Sequence, residues 1–295
     1  MQLALVTPVL TRHPQNDAAW TEEAGPAELV RIATTADRLG FAHLTCSEHV
    51  AIPAHVVESR GARYYDPLAT FGYLAALTSR IRFVTHVLVL GYHHPLAVAK
   101  RYGTLDRLCG GRLVLGVGVG TLAEEFALLG VPFTDRGPRY EDGIRALRAA
   151  FGRQRPTYEG THHRFADVVV DPCGVQADVP IWLGGRSARS LRRALELADG
   201  WDPFGLALPA LEAMLARARD TAAWAGRRQP FDLVLPLDEQ LDPTDAAERR
   251  RLLERLERYR ALGATIVHLR FRHTSLAHYL GQLEAVAADV APRVA

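Results

Sequence analysis

Residues 105–126, LDRLCGGRLVLGVGVGTLAEEF, place a helix end, a tight turn, a buried strand and a glycine-lined exit in that order. This succession is one unit of a parallel β/α fold. Gly110-Gly111 supplies the positive φ that stops a helix, and 112–117 is an apolar strand with no polar alternation. Gly116, Gly118 and Gly120 then leave the C-terminal end of that strand bare of side chains. Such a backbone is open to a flat or anionic molecule, or to a neighbouring element packed close. Two better-known readings fail: no Gly-Lys-Ser/Thr follows as a phosphate loop requires, and a dinucleotide fingerprint needs glycine where Thr121 stands.

The same rhythm runs through the whole chain. Short apolar runs predict strands at 3–7, 43–47, 81–88, 113–117, 181–184, 200–203, 231–237 and 265–270. Amphipathic stretches predict helices over 26–39, 67–77, 95–108, 139–151, 188–198, 209–225 and 245–262, with a last one from Ser275. Proline recurs at the first helical turn, at 26, 67, 95 and 209. Alternation without a Gly-, Pro- or Ser-rich linker predicts one closed (β/α)8 barrel over 1–295, ahead of a doubly wound open sheet. The segment 156–172 breaks the rhythm and reads as an inserted hairpin before the fifth strand, placed to narrow the mouth of a pocket.

Composition narrows the function classes. A chain of 295 residues that is 48% hydrophobic and 23% charged is an ordinary globular composition, with no run long enough to span a membrane. The opening MQLALVTPVL lacks a basic region and reads as a first strand, so a cytoplasmic location is expected. Net charge is +2 and the arginines alternate with acids, as in 248–260, a solvated helix face that does not suit nucleic acid. Cys46, Cys109 and Cys173 lack metal spacing and read as reduced thiols.

In a barrel, reacting groups collect at the C-terminal strand ends. Ser47-Glu48-His49 closes the second strand, where His49 offers an acid or base and Glu48 a carboxylate to orient it or hold a polar ring edge. The third strand ends in His86-Val87, with His93-His94 entering the next helix. Adjacent histidines point apart and no acid follows at ligand spacing, so no metal site is expected. Gly184-Gly185-Arg186-Ser187-Ala188 opens a helix with free amides, a hydroxyl and arginine nearby, a dianion site that suits phosphate or a serine-capped turn. Glu124 and Glu125 read as helix-dipole residues, Asp66-Pro67 as a cap, and Trp201-Asp202 as a strand-end packing pair.

Taken together, SEHV at 47–50, the stretches 66–90, 94–120, 124–144 and 178–201, YEGTHHRF at 158–165 and GATIVHLRF at 263–271 resemble the bacterial luciferase-like family of flavin- or deazaflavin-dependent oxidoreductases. The resemblance implies a barrel that binds coenzyme F420 or FMN at its mouth, with the tail phosphate on Gly185 to Ala188 and His49 facing the ring. It also implies a non-prolyl cis peptide at His86-Val87. SEHVAIP is closer to the F420-using branch, which implies hydride transfer to or from a small metabolite, most simply reduction of a C=C or C=N bond. The resemblance places Glu48, His86, Val87, Gly118, Thr121 and the 184–188 turn at the cofactor, with His86, Thr121 and the Arg12-His13 loop toward the substrate.

The alternatives are an FMN monooxygenase that uses oxygen and a non-catalytic ligand-binding barrel. Sugar-phosphate dehydrogenases of this family carry a tryptophan shortly after the histidine and a glutamate just past the glycines. Those places fall near Pro53 and at Thr121 here, which argues against that substrate. The family also implies a homodimer.

Overall fold

The computed structural model describes residues 1–12 and 18–294. Eight parallel strands close on themselves: β1 Gln2–Leu5, β2 His43–Cys46, β3 Arg82–Thr85, β4 Leu113–Gly118, β5 Ile181–Gly184, β6 Gly200–Asp202, β7 Asp232–Pro236 and β8 Ile266–Leu269. Each pairs with its sequence neighbour, β8 returns to β1 with Val267 opposite Leu3, and β4 meets β5 with Leu115 opposite Ile181. This is the (β/α)8 barrel that the alternation predicts.

Strand geometry sends alternate side chains outward and inward. Outward residues such as Leu44, Phe83, Leu115, Leu183 and Val267 join the core beneath the helices, while Ala4, Val84, Val114, Trp182, Val234 and Ile266 form a separate plug inside the barrel. Two residues further along their strands, toward the C-terminal ends, the interior turns polar: Val84 gives way to His86 and Ile266 to His268.

The outer helices are α1 Pro26–Leu39, α2 Pro67–Ala75, α3 Pro95–Leu108, α4 Arg136–Ala150, α5 Ala188–Leu197, α6 Leu208–Arg219, α7 Ala246–Ala261 and α8 Leu276–Ala285. Their starts follow from local chemistry. Asp66, Ser187, Asp245 and Ser275 each accept a backbone N–H at a helix N-terminus, and proline occupies the first turn of α1, α2, α3 and α6.

Four details depart from the sequence expectation. The third strand does not run over 81–88: it stops at Thr85, crosses a cis His86-Val87 peptide and resumes as Leu88–Val89 against β4. The helix expected over 209–225 ends at Arg219, because Thr221 Oγ1 accepts the Trp224 N–H and caps a separate turn, Ala222–Ala225. The helix expected from 139 starts at Arg136, since Pro138 is tolerated in a first turn.

The fourth is the hairpin, which pairs only Tyr158–Glu159 with Arg164–Phe165. Asp142 of α4 fastens it outside the barrel, accepting from the Tyr158 hydroxyl at 2.6 Å and the His162 and His163 amides at 2.8 and 2.9 Å. No residue of 156–172 lines the central cavity, so the hairpin does not narrow its mouth.

Gly116, Gly118 and Gly120 serve packing first. A Cβ on Gly116 would sit 2.0 Å from the Thr85 carbonyl oxygen, one on Gly118 2.5 Å from Val87, and one on Gly120 2.5 Å from Phe126. Gly184 of β5 likewise leaves room for Val87. The bare strand end accommodates the bulged third strand, and Gly118 and Gly120 border the cavity beside it.

Candidate functional site

A cavity of about 1,130 Å³ opens at the C-terminal ends of the strands. All eight strands or the loops that follow them contribute to its wall. Of the histidines in its wall, His49 and His86 are each backed by a buried carboxylate.

His49, just past β2, is 17% exposed, and its Nδ1 lies 2.7 Å from Glu125 Oε2. Glu125 is fully buried on the short helix Ala123–Leu128 and also accepts from the Val50 amide at 2.5 Å, the Ala51 amide at 3.2 Å and the Tyr92 hydroxyl at 2.7 Å. Burial alone would raise its pKa. The donors, led by Tyr92 and His49, outweigh that and hold the carboxyl below its ordinary range. With Nδ1 engaged, Nε2 is the His49 nitrogen left for a ligand, and the Tyr64 ring packs against the imidazole, its centroid 4.5 Å away.

His86, at the break in the third strand, is 18% exposed. Its Nε2 lies 3.3 Å from Asp202 Oδ2, and Asp202 Oδ1 lies 3.5 Å from His268 Nδ1. These contacts lack hydrogen-bond alignment, so both Asp202 oxygens are buried without a donor among the described residues. His268 Nε2 in turn lies 2.6 Å from His43 Nε2. Burial pushes His43 and His268 well below the ordinary histidine value. Burial also works against the charged form of His86, but the Asp202 charge outweighs it and raises the pKa.

Most predicted site residues meet here. His49, Glu48, His86, Val87, Gly118, Thr121 and the turn Gly184, Gly185, Arg186 and Ser187 all line the cavity. Glu48 does not orient His49: it accepts from the Val89 amide at 2.7 Å and meets His93 Nε2 at 2.7 Å. The orienting carboxylate is Glu125, which sequence reading assigns to the helix dipole. Ala188 lies outside the wall, as does Arg12, which is tied to Glu22 at 2.9 Å. His13 falls outside the described residues.

The residues that sequence reading missed are Glu125, Asp202, His268 and His43. The last three were visible as polar side chains within otherwise apolar strands, a signal of inward-facing chemistry.

The rim holds the 184–188 turn and several arginines. Gly185 has φ +137°, and a Cβ there would meet Ser190 at 2.6 Å, so only glycine makes this turn. Ser187 is spent on the helix: its hydroxyl accepts from the Ser190 amide, and its own amide is taken by Ser190 Oγ. Arg60, Arg186 and Arg270 line the cavity with no side-chain hydrogen bond or ion pair among the described residues, whereas Arg193 is held by Glu141 at 2.5 Å. An apolar wall at Val87, Val119 and Leu183, a free imidazole nitrogen on His49 and unpaired arginines at the mouth fit a flat molecule with an anionic tail.

A (β/α)8 barrel with its polar groups gathered at the C-terminal mouth has the architecture of a barrel enzyme. The chain belongs to the luciferase-like monooxygenase family, whose model matches residues 3–293. An uncharacterized protein of Mycobacterium tuberculosis is 32% identical over 71% of this chain and 76% of its own length. An F420-dependent glucose-6-phosphate dehydrogenase of Microbacterium testaceum is 29% identical over 76% of this chain and 67% of its own. Among solved structures, the oxygenating constituent of a Pseudomonas putida 3,6-diketocamphane monooxygenase in complex with FMN superposes with a TM-score of 0.74 at 16% identity, covering 100% of this chain and 99% of its own. That likeness shows the shared fold. The family makes this protein an oxidoreductase of the luciferase-like type.

Proposed function

We propose that the protein is an F420-dependent oxidoreductase that reduces a C=C or C=N bond of a small, acidic metabolite. The observation that carries the reading is one chamber holding a glycine turn at a helix N-terminus, an oriented His49 and arginines without side-chain partners among the described residues, in a chain related to an F420-dependent dehydrogenase. When bound, the deazaflavin supplies a hydride and no oxygen chemistry.

The chain's own residues then have separate tasks. The turn at Gly185 and Arg186 binds the anionic tail at the start of α5, where the helix dipole adds about 0.3–1 kcal/mol per charge. Glu125 fixes the His49 ring so that Nε2 can hold the polar edge of the cofactor. Val87, seated between Gly118 and Gly184, supports the flat face. Arg60 and Arg270 stand where an acidic substrate would enter.

The relative's sugar phosphate is not the substrate we read here. Thr121 stands where the family's glutamate is expected, and the carboxylate near His49 comes instead from Glu125, engaged through Nδ1.

Titration of the purified protein with F420 and separately with FMN, followed by cofactor fluorescence, tests the reading. Micromolar F420 binding with weak FMN binding is expected. The opposite preference would make it an FMN monooxygenase, and binding of neither would leave a ligand-binding barrel without this chemistry.

A further inference from the structure

Asp202 sits at the end of β6 with none of its surface exposed and, among the described residues, no hydrogen-bond donor on either oxygen, whereas the buried carboxylates of Glu125 and Glu48 in the same chamber both accept backbone amides. An ionised carboxylate in such a place must be matched by a neighbouring positive charge. The groups around it are three histidines: His86 on Oδ2, His268 on Oδ1, and His43 behind His268.

With His43 and His268 neutral and Asp202 ionised, only one arrangement of the ring protons leaves no lone pair facing another. His43 donates from Nε2 to His268 Nε2, His268 then carries its proton on Nδ1 toward Asp202 Oδ1, and His86 carries one on Nε2 toward Oδ2. The two N–H groups flank Asp202 from two sides, at 3.3 and 3.5 Å and without hydrogen-bond alignment. His43 lies off the cavity wall and His268, though it lines the wall, is fully buried, so both act as fixed neutral donors, while His86 is 18% exposed at the cavity with Nδ1 as its remaining nitrogen.

We propose that His86 is the group that exchanges a proton with the substrate in this chamber, with Asp202, His268 and His43 behind it as positioning residues. The role in turnover rests on the hydride-transfer reading above. In the reductive direction, a bound reduced deazaflavin would supply the hydride for the new C–H bond at one end of the double bond. The π pair moves to the other end, and that atom takes the proton from His86 Nδ1. The Nδ1–H bond breaks, the ring becomes neutral with its Nε2–H retained on Asp202, and solvent at the mouth returns the proton.

The other groups around His86 are consistent with this. Arg270, past the end of β8, opposes a second positive charge. Glu48 is committed to Val89 and His93, and Cys46, pushed up to about 12 by burial, stays a neutral thiol. The imidazolium of His86 therefore has Asp202 as its counter-ion. Behind His49, by contrast, Glu125 has three further donors, the Val50 and Ala51 amides and the Tyr92 hydroxyl.

The test is a pH titration of the protein without cofactor, carrying ¹⁵N,¹³C-labelled histidine and read by NMR. His86 is expected to titrate above the ordinary histidine value of about 6.5, and Asp202→Asn to lower its midpoint by roughly 1–3 pH units. His268 is expected as the Nδ1–H tautomer, and neither His268 nor His43 should charge between pH 6 and 9. A His86 midpoint at or below the ordinary value, or an equivalent of divalent metal bound at the cluster, would overturn the proposal. If Asp202→Asn does not fold, the midpoint and tautomers of the unaltered protein decide it alone.

In turnover, His86→Gln should lower kcat by roughly 10²–10⁴-fold and abolish its alkaline limb while F420 affinity stays within a few-fold. Retention of that limb would reject the role in turnover. Failure of the cofactor reading is distinguishable, because it would show in the F420 titration while the histidine spectra stay as described.

Discussion

Glu125 and Asp202 are both fully buried carboxylates behind a histidine of the same chamber, yet Glu125 accepts four hydrogen bonds and Asp202 accepts none among the described residues. Glu125 serves a loop. Two of its donors are the amides of Val50 and Ala51, so its charge is stabilised whatever the state of His49, and its main work is to fix the ring. Asp202 serves a proton. The charged groups beside it among the described residues are the imidazoles of His86 and His268, and a positive imidazole is what stabilises its charge. The lesson is that a histidine–carboxylate pair is defined less by its own distance than by what else the carboxylate touches.

The largest expected effect lies on the Asp202 side and is read in stability. His43 and His268 have folded pKa values well below the unfolded value, so they contribute stability above about pH 6.5 that is lost as pH falls. Unfolding then takes up two protons, which steepens the loss to about 2.7 kcal/mol per pH unit below 6.5. His86 works in the opposite sense: its raised pKa gives stability that is complete below about pH 6.5 and lost as pH rises through its folded value. Urea denaturation between pH 5 and 9 should therefore show a steep acid limb, and His43→Gln should flatten it. An acid limb confined to the carboxylate range below pH 4.5 would remove the contrast.

On the other side, Glu125→Ala strips the acceptor from the Val50 and Ala51 amides and the Tyr92 hydroxyl. Its cost is about 2–3 kcal/mol, because the loop amides can turn partly to water. Urea midpoints should show this loss together with weaker cofactor binding. Unchanged binding would mean that His49 needs no orienting carboxylate.

Ser187→Ala tests whether the rim serine caps α5 or grips an anion. A loss of about 1 kcal/mol in thermal unfolding with unaltered cofactor affinity is expected, since the hydroxyl is already taken by Ser190. The smallest effect belongs to Arg186→Ala, at an exposed site. Cofactor affinity should fall by about two- to fivefold, fading at high salt in an isothermal titration.

The barrel was legible because its strands read as apolar runs of period-breaking length and its helices carry prolines and caps at their starts. The His49 and His86 strand ends and the 184–187 turn were legible for the same reason: a barrel puts strand ends at the mouth. The carboxylates were not. Asp202 meets His86 from 116 positions away, and Glu125 meets His49 from 76 away, distances that only closure of the sheet removes. Glu125 also satisfied a helix-dipole reading on its own, so nothing local asked for a partner. Of the two readings that Gly116, Gly118 and Gly120 left open, packing by a neighbouring element comes first, since their space goes to Thr85, Val87 and Phe126.

The division of labour between the two pairs is tested most directly by one set of titrations, F420 binding to the unaltered protein, Glu125→Gln and Asp202→Asn from pH 6 to 9. The account predicts that Glu125→Gln weakens binding about tenfold or more at every pH. Asp202→Asn should leave neutral-pH affinity within about threefold but remove any pH dependence tied to the His86 charge. The reverse pattern, with affinity lost in Asp202→Asn and kept in Glu125→Gln, would contradict it.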